Sequence, residues 1–288
     1  MIPVPSRQIR AAVHAALAED AVRRDMTTAA LFPKPLRARG TIVAHQAMTV
    51  AGVAAARQTF RSVDASLRVR RAAQEGAVVP KNRAVMVIEG DARSLLKAER
   101  VALNFLQRLS GIATLTARYC NAVRGSRVRI FDTRKTTPGL RALEKWAVAL
   151  GGGHNHRFSL GDGVLIKDNH LALAGGGAAA ACRLARKRAP RGLTIEVEAR
   201  TLRDVRAALE GKADIILLDN MPVPAIRRAI RLIERRAVVE VSGGVTLANV
   251  RRIAAARPAR ISIGALTHSA PAADLSMDII PISGRHKT

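Results

Sequence analysis

The sequence predicts an α/β barrel preceded by a smaller α+β unit, and two observations carry that prediction. After residue 127, six short and almost continuously apolar runs rich in Val and Ile alternate with helical stretches, the pattern of parallel strands covered on both faces. Each run ends in polar or glycine residues: Asp132-Thr133-Arg134-Lys135, Lys167-Asp168-Asn169-His170, Glu198, Asp219-Asn220, Ser242-Gly243-Gly244 and Gly264. Polar groups at six strand ends converge on one place only if those ends form a ring, as on the catalytic face of a barrel; a doubly wound sheet gathers its site at one switch point instead. No GxGxxG follows a run, so a Rossmann nucleotide site has no support.

Taken in order, β-type runs are expected at 41–46 (TIVAHQ), 49–53 (TVAGV), 67–72 (LRVRRA) and 84–90 (AVMVIEG). Between Ser94 and Arg124, Val101, Phe105, Leu109 and Ile112 fall on one face, as in a long amphipathic helix or a helix pair broken at Gly111. That segment is expected to join the domains. Barrel strands are expected at 128–133, 164–169, 194–199, 214–220, 238–244 and 260–266. Helix 201–211 opens on a T-x-x-D cap and stops at Gly211, and 222–236 places Ile226, Ile230 and Ile233 on one face.

Hydrophobic residues at 48% and charged residues at 24% of 288 describe a chain that buries a real core. No apolar run approaches the ~20 residues that span a bilayer. The first twenty residues carry acids where a signal peptide has an uninterrupted apolar stretch, so a cytoplasmic protein is expected. Cys120 and Cys182 show no CxxC spacing and read as two buried thiols rather than a disulfide or zinc site. The formal charge is +26, with 39 Arg and nine Lys scattered through every segment and only 2% aromatic residues. Such dispersion without stacking platforms fits nucleic-acid binding poorly, and it looks more like a codon-composition bias.

Three constellations carry chemistry. Arg134, Lys135, His156, Arg157 and Lys167 follow or end strands in Gly- or Pro-containing stretches, and this mixture of Arg forks and point charges suits a substrate with several anionic groups. Glu198 and Asp219 end apolar strands beside these cations, where they either hold Mg²⁺ through few protein ligands or pair with the cations. Glu196 is expected to face away from the mouth and Glu198 towards it. Ser242-Gly243 and Gly264 stand in the late barrel loops, where backbone N–H groups commonly bind phosphate. His154 and His156, two apart without a third ligand, do not make a zinc site. No nucleophile elbow is visible. A phosphate site, a metal-bound diphosphate and a multiply charged acid side by side call for phosphoribosyl transfer, catalysed by positioning and charge stabilisation.

The stretches ERVALNFLQRLSGIAT (99–114), DTRKTTPGLRALEKWAV (132–148), GGGHNHRFSLGDGVLIKDNH (151–170), IEVEARTL (195–202), ADIILLDN (213–220), EVSGGVTLANV (240–250) and ISIGALTHS (261–269) resemble the quinolinate phosphoribosyltransferase family, in the family's order. The resemblance implies a type II phosphoribosyltransferase-like fold: an incomplete α/β barrel (111–274) and an α+β open-faced sandwich domain (1–110, joined by the C-terminal tail 275–288). It implies conversion of quinolinate and phosphoribosyl diphosphate to nicotinate mononucleotide, CO₂ and diphosphate, with Mg²⁺, in de novo NAD biosynthesis. It also implies a homodimer, or a higher oligomer, with Arg100 contributed across the interface and no specific nucleic-acid or membrane partner. Carried onto this sequence, Arg134, His156, Arg157 and Lys167 hold the quinolinate carboxylates together with Arg100. Lys135 faces diphosphate, Glu198 and Asp219 the ribose and metal, and Ser242, Gly243 and Gly264 the 5′-phosphate. Two stretches depart from the family pattern: EDAVRRDMTT (19–28), with Arg23 and Arg24 in place of small residues, and the tail 274–288. The rival readings are a barrel paralogue of molybdenum-transport type, expected to lack the intact HR and KDNH sets, and a basic nucleic-acid-binding protein.

Overall fold

The computed structural model describes residue 4, residues 6–175 and residues 177–282, so the end of the 275–288 tail lies outside the described residues. The chain forms two compact units. Its elements in order are α1 (Ser6–Glu19), α2 (Met26–Leu31), β1 (Arg37–Ala44), β2 (Met48–Thr49), α3 (Val53–Val63), β3 (Arg68–Ala72), β4 (Val78–Val79), β5 (Arg83–Asp91) and α4 (Ala92–Ala122). There follow β6 (Arg129–Phe131), α5 (Arg141–Leu150), β7 (Val164–Ile166), α6 (Asp168–Ala174), α7 (Gly177–Arg188), β8 (Ile195–Ala199), α8 (Leu202–Glu210) and β9 (Ile215–Asp219). The chain closes with α9 (Val223–Ile233), β10 (Val238–Ser242), α10 (Val250–Ala254), β11 (Arg260–Ser262), α11 (Ala265–His268) and β12 (Leu275–Pro281).

The first unit takes the chain up to Ala117, Thr136–Gly152 and the chain from Leu266. Its main sheet runs β12-β1-β5-β3, with β12 antiparallel to β1 from Ala38↔Pro281 to Ala44↔Leu275. Burial along β1 alternates, with Ala38, Gly40, Ile42 and Ala44 turned to a core that also holds Phe60, Met86 and Leu95. The other face is polar: Glu89 takes Arg39 and Arg70 at 2.8 Å each. One sequence expectation changes here, and an alternative left open is decided. The run 49–53 is a strand only at Met48–Thr49, because Gly52 at φ +94 turns the chain into α3, whose first N–H groups donate to the Glu75 carboxylate (Gly52 3.0 Å, Ala54 2.9 Å). A cap supplied from more than twenty residues away leaves no local signal. Of the two arrangements expected for 94–124, α4 is the long continuous helix; a β-carbon at Gly111 would lie 2.1 Å from the Pro271 carbonyl oxygen. Glycine serves close packing at that position rather than helix termination.

The second unit, Arg118–Lys135 and Gly153–Ala265, holds a six-stranded parallel sheet in the order β6-β11-β10-β9-β8-β7. The edge strands β6 and β7 do not pair with each other, which makes the barrel incomplete. The Gly-rich loop before β7 lies along the free edge of β6: His154 N–H donates to the Ile130 carbonyl (2.8 Å) and Asp132 N–H to the His154 carbonyl (3.0 Å). Five of the six expected strands overrun at their C-terminal ends, where the chain leaves the ladder for loops, and β8 ends at Ala199 as expected. α8 carries the expected cap, with Thr201 and Asp204 exchanging hydrogen bonds of 3.2 and 2.8 Å. Gly211 ends it in a right-handed conformation, and a β-carbon there would sit 2.7 Å from Cys182 Cβ. α9 buries Ile226 and Ile233, with Ile230 half-buried.

Candidate active site

Strand register sets the polar ends beside one another. β7 and β8 pair Ile166 with Val197, so Lys167 and Glu198 leave the sheet as neighbours, and Lys167 Nζ lies 2.9 Å from Glu198 Oε1. β9 and β10 pair Asp219 with Ser242. The exposed Arg200, just after β8, spans Asp168 Oδ2 (2.8 Å) and Asp219 Oδ2 (3.4 Å). Sequence reasoning passed over Arg200 among 39 arginines; its place directly behind a strand-end acid was the available signal.

Glu196 corrects a sequence expectation. Residues two apart in a strand share a face, so Glu196 and Glu198 both point into the barrel and differ in depth by ~7 Å. Val197 between them is fully buried on the opposite side. Glu196 meets His156 Nε2 at 3.1 Å, and Glu240, two residues before Ser242 on β10, meets the same nitrogen at 3.4 Å. Glu240 also accepts from Ser262 Oγ (2.5 Å) and faces Arg260 (3.4 Å). Burial works against a charged imidazole, but hydrogen bonds that the ring donates to Glu196 and Glu240 raise the His156 pKa to about 9. The Arg157 N–H points at Nδ1 (2.9 Å), which favours the neutral ring; two carboxylates outweigh that one dipole. Burial first, then the Glu240 charge, raises Glu196 as well. The loop is tied down by the buried Asp132, which accepts from Asn155 Nδ2 and from the His156 N–H, both at 2.7 Å.

Arg134 and Arg157 sit close enough to repel. Arg157 donates to the Gly163 carbonyl (2.7 Å), and burial, then the Arg134 charge, lowers its pKa. Arg134 Nε is buried and makes no hydrogen bond. Lys135 is exposed, and its N–H donates to Thr133 Oγ1 at 3.1 Å. Gly243 has φ +87, and a β-carbon there would lie 2.3 Å from the Asn220 side chain, so only glycine fits. Ser242 Oγ donates to the Ser262 carbonyl (3.3 Å), and Gly264 lies between β11 and α11. Arg100 is exposed on α4 in the first unit.

Among the described residues, the possible metal-ligand cluster is His156, Glu196 and Glu240, whose ligand atoms lie within 4.8 Å of one another. Arg260 and Ser262 already serve it, so it fits a proton-sharing network. Glu198 and Asp219 offer oxygen atoms at the partly exposed rim, where Lys167 (2.9 Å) and Arg200 (3.4 Å) now pair with them, and these are the carboxylates that could hold a divalent cation. His154 instead stacks on Phe131 at 5.2 Å. Burial pushes both cysteine thiols up to about 11.

An incomplete α/β barrel with cations and carboxylates gathered at its strand ends defines an enzyme for multiply anionic substrates. The chain belongs to the quinolinate phosphoribosyl transferase family: the model of that family's N-terminal domain matches residues 25–110 and the model of its C-terminal domain matches 112–278. It is similar to the chloroplastic carboxylating nicotinate-nucleotide pyrophosphorylases of Oryza sativa subsp. japonica and Arabidopsis thaliana. Each is 41% identical over 293 residues, covering 96% of this chain and 78% and 84% of those proteins. Among solved structures, NadC from Streptococcus pyogenes superimposes with a TM-score of 0.92 at 39% identity, covering 98% of this chain and all of that one. The nicotinate-nucleotide pyrophosphorylase from Francisella tularensis gives 0.91 at 32% identity, covering 97% of this chain and all of that one.

Proposed function

We propose that this chain is a carboxylating nicotinate-nucleotide pyrophosphorylase acting in NAD biosynthesis. It joins the quinolinate ring nitrogen to C1 of phosphoribosyl diphosphate as diphosphate leaves, and CO₂ is then lost and replaced by a proton. The observation that carries this reading is the Arg134–Arg157 pair: two repelling guanidinium groups, one with a buried Nε that makes no hydrogen bond. Half-buried like charges are tolerable where the ligand brings the compensating anion, and a dicarboxylate does so twice over.

Each residue then has a physical task. Arg134, Arg157, Lys167 and the cationic His156 hold the two carboxylates and orient the ring nitrogen; an incoming carboxylate competes with Glu198 for the Lys167 ammonium. Lys135 faces the diphosphate, and Ser242, Gly243 and Gly264 present backbone and hydroxyl groups to the 5′-phosphate. Glu198 and Asp219 would hold Mg²⁺, which supplies charge neutralisation for the departing diphosphate. Arg100 completes the site of a second copy in a homodimer, and the protein works in the cytoplasm. No helix among the described residues is long and apolar enough to cross a membrane.

The test is formation of nicotinate mononucleotide from quinolinate and phosphoribosyl diphosphate, with Mg²⁺ present and then chelated. Turnover that stops on chelation is expected. No product with Mg²⁺ present overturns the activity, and full turnover under chelation overturns the metal.

A further inference from the structure

The opposite rim of the barrel unit is also strongly cationic. A cavity of about 2440 Å³ opens there, lined by the first residues of β6, β10 and β11 (Arg129, Val238, Arg260) and by the loops that enter the strands. In a parallel sheet this is the end away from Lys167, Glu198, Asp219 and Ser242. Eleven of its 29 lining residues are Arg or Lys, against two acids, Asp214 and Glu234. The chain as a whole carries 48 Arg and Lys in 288, so the rim holds more than twice its share. A uniform compositional excess of arginine does not produce that concentration.

Two further observations bear on these cations. Asp214 is neutralised by Arg186 at 2.9 Å. Arg127, Arg129, Lys212, Arg231, Arg235 and Arg257 are all exposed and make no side-chain hydrogen bond or ion pair among the described residues. Moreover, Lys212 (φ +57), Glu234 (φ +48), Arg235 (φ +64) and Arg257 (φ +63) hold left-handed backbone in the three successive loops before β9, β10 and β11. These residues follow the ends of α8, α9 and α10, where glycine is the usual left-handed residue, so three cations stand where glycine folds at less cost.

We infer that this rim binds a condensed-phosphate anion, a chain of phosphoryl groups either free or carried on a nucleotide. Guanidinium forks match phosphate oxygens in pairs, and the cavity has room for an extended chain. Base recognition plays no part. Phe131 is the one aromatic among the lining residues, with the Arg260 guanidinium over its ring at 4.8 Å and His154 stacked on it.

Calorimetric titration of the full chain with tripolyphosphate at about 50 mM salt tests this, because exposed charges are poorly screened there. Two variants separate the rims. Lys212→Gly/Arg235→Gly/Arg257→Gly removes three cations while favouring the existing backbone, and Lys135→Ala/Lys167→Ala disables the catalytic rim. The expected result is binding by wild type and by the Lys135/Lys167 variant, at least ~10-fold weaker binding by the glycine variant, and unchanged quinolinate turnover in the latter. ATP is expected to bind within about threefold of tripolyphosphate, since only phosphates are read. Absence of tripolyphosphate binding to wild type overturns the inference. So does binding lost in the Lys135/Lys167 variant and kept in the glycine variant, or binding of ATP or of a short RNA duplex without tripolyphosphate. All these readouts are of binding, so they stand whether or not the chain turns over quinolinate.

Discussion

The two rims of the barrel unit carry similar charges in opposite states. At the C-terminal rim Lys167 is paired with Glu198, Arg200 with Asp168 and Asp219, and His156 with Glu196 and Glu240. At the N-terminal rim six cations have no partner among the described residues, and three of them sit in left-handed backbone just past helix ends. Paired charges fix positions for chemistry; unpaired ones supply an attractive field with little orientation. The formal charge of +26 says nothing about which of these a residue does.

That contrast breaks first at the catalytic rim. Arg134→Ala and Lys167→Ala are each expected to lower kcat/KM by about 10²–10³-fold with unchanged circular dichroism, because each removes a positioned charge. Near-normal turnover in either takes that residue out of the site. Mixing inactive Arg100→Ala and Lys167→Ala chains, with subunit exchange verified, is expected to restore about one quarter of wild-type activity: random C₂ pairing makes half the dimers mixed, each with one intact site. No regain places Arg100 outside the partner's site.

Gly243→Ala forces a β-carbon against Asn220 in left-handed backbone, at a cost of about 1–2 kcal/mol. A Tm lowered by several degrees and a raised KM for phosphoribosyl diphosphate are expected; unchanged values would show that the turn relaxes freely. A gentler change is Glu240→Gln. His156 is held charged well above its ordinary 6.5, so its contribution to stability and carboxylate binding is complete below that value and is lost as pH rises towards about 9. With one carboxylate gone, the alkaline limb of the kcat/KM profile moves down by roughly one pH unit. An unmoved limb means that another group sets it. The smallest effect is expected at the other rim, where the Lys212, Arg235 and Arg257 glycine variant keeps kcat and KM.

The polar strand ends that make up the candidate site were legible because strand ends are local features. An apolar run followed by Lys167, Glu198, Asp219 or Ser242 announces a barrel loop whatever else the chain does. Arg200 was lost among many like residues. The His156–Glu196–Glu240 network was missed although an acid inside the run VVEVS is itself a signal, because a buried carboxylate requires a partner. Glu196 shares the face of Glu198, as a strand period of two requires, and lies deeper in the barrel.

The sequence by itself determined the order of elements, the parallel sheet and the cations and acids at its catalytic end, since hydrophobic period and punctuation are written residue by residue. Only the tertiary structure decided which glycines are hinges and which are points of contact, as at Gly111 and Gly211, and which charges are spent on each other. Those outcomes depend on distances between residues far apart in the chain: Glu240 lies 84 positions from His156 and 3.4 Å from its ring nitrogen. Folding sets such a distance, and no local pattern encodes it.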